Sequence, residues 1–138
     1  MELNKIEQYI EDFQARDFPS FIPRKLPKFY PKKINAIIGP RRAGKTTILF
    51  QIMDEILKSG KSRKEILYLN FENINLVGMQ AKDILSAIEI HKKKFTYKPI
   101  LFLDEPQNVP SWEKAVRTLY DEDYTIYISG SSSKMLSK

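Results

Sequence analysis

Eight consecutive residues constrain this chain more than any others. Gly39-Pro40-Arg41-Arg42-Ala43-Gly44-Lys45-Thr46 fits the pattern G-x-x-x-x-G-K-[ST]. Before it stands an apolar run, Ile34 to Ile38. After it, Ile48, Leu49, Ile52, Met53, Ile56 and Leu57 repeat at helical spacing from Lys45 to Ser59 and stop at Gly60, a helix-ending residue. Strand, glycine loop and helix in that order form the setting in which this pattern holds phosphate. Gly39 and Gly44 let the backbone curl so that successive N–H groups point inward, and the helix adds its positive end. Lys45 is expected to reach the β- and γ-phosphates and the Thr46 hydroxyl to ligate Mg²⁺. The nucleotide-contacting set is then Gly39, Pro40, Arg41, Arg42, Ala43, Gly44, Lys45, Thr46 and Thr47.

The remaining chain repeats the β-then-α rhythm. Glu65 to Phe71 predicts a second strand, Gln80 to Lys94 a helix with Ile84, Leu85 and Ile88 on one face, and Ile100 to Asp104 a third strand. Trp112, Ala115, Val116 and Leu119 mark another helix with Ser111 as its N-cap, and Thr125 to Ser129 predicts a fourth strand. The first and third strands are continuous apolar runs, the pattern of parallel strands covered on both faces. The class is therefore α/β, with a parallel sheet and right-handed crossovers.

Ahead of this core, Leu3, Ile6, Ile10 and Phe13 predict one amphipathic helix. Pro19, Pro23, Pro27 and Pro31 follow, forbidding helix interior. The chain thus divides into residues 1–33, a helix and proline-rich connector, and residues 34–138, the core. The connector carries Phe18, Phe21, Ile22, Leu26, Phe29 and Tyr30, too apolar for a free linker.

The third strand ends Leu103-Asp104-Glu105, placing two carboxylates where open α/β sheets bind ligands. Asp104 is expected to hold Mg²⁺ and Glu105 to take a proton from an attacking water. The formal net charge is +6, and the first 69 residues, with 14 Lys/Arg against 8 Asp/Glu, supply all of it. Between Phe18 and Met53 eight basic residues meet no acid, which calls for phosphates or a nucleic-acid backbone, or else makes a solvated basic face. Absence of cysteine excludes disulfides and thiolate metal sites, and His91, the sole histidine, reads as packed or solvated. No apolar run approaches the roughly 20 residues of a membrane span, and no export signal precedes the core, so a cytoplasmic placement is expected.

Taken together, Gly-Pro-Arg-Arg-Ala-Gly-Lys-Thr-Thr at 39–47, Phe-Leu-Asp-Glu-Pro-Gln-Asn-Val-Pro at 102–110, Trp112-Glu113 and Ser-Gly-Ser-Ser-Ser at 129–133 resemble a family of poorly characterised archaeal and bacterial AAA-type ATPases. The likeness runs from about Ile34 onward; Pro106 and Ser129 stand where that family would have Ile and Thr. The resemblance implies ATP and Mg²⁺ as ligands and a fourth strand inserted between the first and third, with Ser129 or Ser131 as its γ-phosphate sensor. It further implies Asn70 and Glu72 as polar neighbours of the γ-phosphate or glutamate, and Arg24 to Tyr30 as the adenine side. Arg41 and Arg42 do not read as arginine fingers, since they lie inside the loop; packing or a salt bridge is expected for both. An AAA core also implies a fifth strand beside the first, a helical lid and an arginine from a neighbour. On that basis the chain reads as the nucleotide-binding part of a longer ATPase, with Ile34 to Ile38 at an exposed sheet edge or covered by the N-terminal segment, feeble turnover alone, and self-association or a C-terminal domain as partner.

Mg²⁺-dependent ATP hydrolysis leads. The competing functions are an ATP-binding switch without turnover, a small-molecule kinase, and nucleic-acid binding through residues 18–33. Adjacent Asp104 and Glu105 argue against the kinase, which has no water to activate. No Asn/Thr-Lys-x-Asp guanine motif is present, Asn4-Lys5-Ile6-Glu7 being the nearest look-alike, and this favours adenine.

Overall fold

The computed structural model describes residues 1–131; Ser132 and Ser133 of the serine-rich segment lie outside the described residues. The elements are α1 (Leu3–Ala15), β1 (Ile34–Gly39), α2 (Lys45–Lys58), β2 (Ile66–Asn70), α3 (Ala81–Phe95), β3 (Ile100–Asp104), α4 (Trp112–Asp121) and β4 (Ile126–Ser131), with short 3₁₀ turns at 63–65, 74–76 and 106–108. All strand pairs are parallel, in the order β1-β4-β3-β2. The fourth strand thus separates the first from the third.

Strand alternation sorts the core into two layers. Leu67, Leu69, Leu101, Leu103, Ile126 and Ile128 face one side, where α1, α3 and α4 bring Ile6, Ile10, Ile84, Ile88, Trp112 and Leu119. Ile66, Tyr68, Phe102 and Tyr127 face the other, against Leu49, Phe50, Ile52 and Met53 of α2 and Phe13 of α1. Phe102 and Tyr127 stack at 4.7 Å between ring centroids, with their planes nearly parallel at 6°. The same alternation continues to the strand ends, so Asp104, Ser129 and Ser131 share the α2 side with Phe102 and Tyr127. Placement of the chemistry follows from placement of the core.

Three expectations need correction. β1 is not covered on both faces: Ile34 and Ile38 are 41% and 45% exposed, because β1 is an edge strand paired only with β4 among the described residues. The connector packs on the α2-side face of β1, where the Asn35 side chain accepts from Tyr30 N–H at 3.0 Å and donates to Tyr30 O at 2.9 Å, and Phe29 meets Tyr127. Leu3 is 59% exposed, and Tyr9 takes its expected place in the buried face of α1. Ser111 occupies the N-cap position of α4 but makes no side-chain cap; its backbone is left-handed, φ 59°. Gly60, by contrast, follows the end of α2 at φ 107°, with its N–H on Leu57 O, the left-handed geometry that glycine adopts without penalty.

His91 is fully buried on α3, edge-on to Phe95, with Nε2 donating to Lys64 O at 2.6 Å. Burial lowers its pKa below the ordinary value, so the ring is neutral at pH 7. The unfolded chain binds this proton more readily than the fold does. Stability is therefore complete above about pH 6.5 and falls as pH drops toward the lowered folded value. Thermal unfolding between pH 7.5 and 5.5 should show this loss, and His91→Gln should flatten it; an identical pH slope in the variant would refute the assignment.

Candidate functional site: a phosphate loop facing two carboxylates

The loop between β1 and α2 begins at Gly39, opposite Ser131 in the sheet, while Asp104 pairs with Ser129. Since β4 lies between them, the ends of β1, β4 and β3 converge over the first turn of α2. Arg42 (φ 62°) and Gly44 (φ 83°) are left-handed, and Gly44 O accepts the Ile48 N–H that opens the helix. Gly39 is not left-handed, and a Cβ there would meet only ordinary contacts at 3.8 Å. The curl expected of both glycines thus rests on Gly44 together with Arg42.

At Gly44 a Cβ would come within 2.6 Å of Arg24 Nη2. Gln51 of α2 holds Arg24 there, accepting from its N–H at 3.1 Å and donating to its carbonyl at 2.6 Å. Gly44→Ala is expected to destabilise the fold by about 1–2 kcal/mol from the left-handed backbone alone, plus the displacement of Arg24. Urea unfolding of Gly44→Ala and of Gly44→Ala/Arg24→Ala checks this: the second change should recover the steric part and leave the backbone part.

Lys45 is 7% exposed and donates through Nζ to Gly39 O at 2.9 Å and Pro40 O at 2.7 Å, standing 3.8 Å from Glu105 Oε2. Thr46 Oγ1 donates to Asp104 Oδ2 at 2.9 Å. Asp104, 1% exposed, also accepts from Tyr68 Oη at 2.6 Å and from Ser129 Oγ. Three hydroxyls hold this buried carboxylate, and no basic side chain pairs with it among the described residues. Burial and the adjacent Asp104 charge push the Tyr68 phenol far above its ordinary pKa, so it stays a donor. Burial likewise pushes Tyr9, which accepts from Asn70 N–H at 2.9 Å, up to about 12.

Glu105 leaves the strand in a left-handed conformation, φ 57°, an uncommon state for a non-glycine residue. Its N–H donates to Ser129 O at 2.9 Å, and its carbonyl accepts from Asn108 Nδ2 at 3.0 Å. The turn swings the carboxylate to the loop, where Oε1 accepts from Gln107 Nε2 at 2.5 Å and Ser131 Oγ at 3.4 Å. A cleft of ≈ 750 Å³ opens between Arg41, Arg42, Gly44, Lys45, Thr46, Glu72 and Glu105.

The sequence-derived residues therefore meet in one place, with their partners now distinguished. Ser129 faces Asp104, whereas Ser131 faces Glu105. Arg41 forms the expected salt bridge, to Glu72 at 2.7 Å. Arg42 forms none among the described residues and instead lines the cleft. Asn70 does not reach Glu105; its Oδ1 accepts from Glu72 N–H in a local turn. Tyr68, Gln51 and Gln107 escaped the sequence reading. Tyr68 had a signal, because it lies two residues before Asn70, the partner of Asp104 across the sheet, on the same face.

This geometry agrees with what comparison finds. An AAA domain matches residues 31–138. The chain belongs to that family. An AAA domain of this kind is nucleotide-binding and of ATPase type. It is similar to an uncharacterized protein of Methanocaldococcus jannaschii, 40% identical over 111 residues, covering 80% of this chain and 24% of the relative. It is also similar to an uncharacterized protein of Haemophilus influenzae, 34% identical over 108 residues, covering 75% of this chain and 26% of that relative. The AAA chain thus spans about a quarter of the length of the curated relatives it matches. Among its described residues no helix is long and apolar enough to cross a membrane.

Proposed function

We propose that this AAA domain binds ATP with Mg²⁺ and hydrolyses it. The observation that carries this reading is the direct Thr46–Asp104 bond, 2.9 Å, beside a Glu105 carboxylate near Lys45. Mg²⁺ takes few protein ligands, typically one or two oxygens with phosphate and water. A buried carboxylate whose partners are hydroxyls rather than cations, joined to a threonine at a helix start, fits that demand. Thr46 and Asp104 would hold the ion, which when bound neutralises charge on the phosphates.

The chain's own groups divide the remaining work. Loop N–H groups and the α2 N-terminus bind phosphate oxygens, from Gly39 through Thr47. The Lys45 ammonium exchanges its loop carbonyls for phosphate oxygens and steadies charge as the terminal phosphoryl group transfers. Glu105 accepts the proton of the attacking water. Ser129 holds Asp104, and Ser131 holds Glu105; these contacts give the two sensor candidates separate jobs. Residues 1–33 serve as an extension that seats Arg24 on the loop, and residues 34–138 as the ATPase core. Self-association or a further domain would supply the arginine that an AAA ATPase uses in trans, leaving slow turnover in this chain alone.

Phosphate release from ATP, measured with Mg²⁺ and with excess EDTA, tests the reading. Release that requires Mg²⁺ and grows with protein concentration is expected. ATP binding with no release at any concentration would point to the switch function instead.

A further inference from the structure

Five of the eight basic residues between Phe18 and Met53 belong to the connector: Arg24, Lys25, Lys28, Lys32 and Lys33. All five are exposed, and none forms an ion pair among the described residues. A solvated face normally interleaves acids with its bases, whereas like charges gathered without counterions repel one another and call for an anionic partner.

The connector is not a loose tail. Besides Arg24 on Gln51, Tyr30 is held at its N–H and its carbonyl by Asn35, the Phe29 ring meets Tyr127 edge-on at 5.4 Å, and Lys32 N–H donates to Thr125 Oγ1 at 2.8 Å. Lys33 O then accepts Ile126 N–H at 3.0 Å. The basic run is thereby laid from the phosphate loop to the foot of β1 and β4, on a backbone stiffened by Pro23, Pro27 and Pro31. Lys32 and Lys33 stand at the opposite end of β1 from Gly39, about 20 Å away at the usual rise of a strand. That is about twice the distance over which physiological salt leaves charges visible to each other, so a nucleotide on the loop does not account for them.

Apolar surface accompanies the charge. Tyr30 is 52% exposed, with Lys28 Nζ 5.6 Å from its ring centroid. An open groove of ≈ 540 Å³ lies between the connector and α2, lined by Leu26, Phe29, Ile56 and Tyr127 together with Arg24 and one acid, Glu55. Backbone phosphates that carry planar, stackable bases match this combination, and a single strand leaves those faces open where a duplex buries them. A run of acidic side chains supplies the charge without the planar faces.

We propose that the connector binds single-stranded nucleic acid, with Lys25, Lys28, Lys32 and Lys33 taking backbone phosphates and Tyr30 stacking on a base. This site is separate from the phosphate loop and does not rest on the hydrolytic reading.

Fluorescence anisotropy of a labelled single-stranded oligothymidylate tests it. Wild type should bind with an affinity that falls as salt rises, at a log–log slope of about −3, as four phosphate contacts on a single strand give. The quadruple variant Lys25→Ala/Lys28→Ala/Lys32→Ala/Lys33→Ala should lose at least tenfold in affinity and most of the slope. Tyr30→Ala should lose about 5- to 100-fold with the slope unchanged. A control of equal charge change, Lys5→Ala/Lys82→Ala/Lys93→Ala/Lys114→Ala, replaces exposed lysines of α1, α3 and α4 and should stay within twofold of wild type. No binding at low salt, an equal loss in the control, or Tyr30→Ala within twofold of wild type would overturn the proposal. So would a duplex or polyglutamate that binds as tightly as the single strand. Displacement of the oligonucleotide by excess ATP at fixed ionic strength would also overturn it, by giving these residues to the mononucleotide.

Discussion

Glu105→Gln should lower phosphate release by about 10²- to 10⁴-fold, the range that a positioned general base contributes, while leaving ATP bound. The substitution keeps the side chain's size and removes its ability to hold a proton. Its neighbours make the effect specific. The left-handed turn at Glu105 is fixed through the backbone, by Ser129 O and Asn108 Nδ2, and these bonds do not depend on the side chain. Lys45 loses only a distant partner at 3.8 Å and keeps both loop carbonyls. Removing a negative charge from the cleft should, if anything, strengthen triphosphate binding. Single-turnover phosphate release together with ATP titration separates the two effects. Equal, nonzero rates in wild type and variant would take Glu105 out of the mechanism.

Lys45→Met should weaken ATP binding by about 10²- to 10³-fold, the loss typical of deleting one positioned charge or donor from a dry site. Methionine approximates the length of the lysine stem and carries no donor. Lys45 is nearly buried, so its ammonium meets phosphate with little competition from water. The variant also strands Gly39 O and Pro40 O, each of which now accepts from Nζ. A concurrent stability loss of about 1–3 kcal/mol is expected where these carbonyls stay dry. Calorimetric titration and urea unfolding read the two quantities. ATP affinity within threefold of wild type would mean that the loop does not cradle phosphate through Lys45.

What could be read from the residues alone follows a physical boundary. The loop, the helix after it and the Asp104-Glu105 exit were legible because each couples a local conformation to a residue type that chemistry demands there. Periodicity located every strand and helix to within a few residues for the same reason. The errors lie where tertiary context decides. The apolar run by itself reads as a strand covered on both faces, which Ile34 and Ile38 contradict, whereas the family resemblance implies the sheet edge that β1 occupies among the described residues. Ser111 has a capping side chain but occupies a left-handed backbone that does not use it. Residue type alone leaves Ser129 and Ser131 equivalent because their partners depend on register: pairing Asp104 with Ser129 puts one serine on Asp104 and the other on Glu105. Tyr68 and Gln51 are ordinary core residues in sequence terms, and only contact reveals that one steadies Asp104 and the other seats Arg24.

That register also explains why a buried carboxylate is tolerated. Asp104 would be costly in an apolar layer beside Phe102 and Tyr127, yet hydroxyls from α2, β2 and β4 reach it. The arrangement stabilises the folded chain and holds Thr46 Oγ1 and the Asp104 carboxylate as a pre-oriented oxygen pair at the start of α2.

The most direct test is the effect of Mg²⁺ on ATP affinity in wild type and Asp104→Asn, measured by titration calorimetry with and without EDTA. Wild type should bind ATP more tightly when Mg²⁺ is present, and Asp104→Asn should lose that gain while still binding free ATP. An equal Mg²⁺ effect in both proteins, or no ATP binding by wild type, would contradict a site built from residues 39–47 with Asp104 and Glu105.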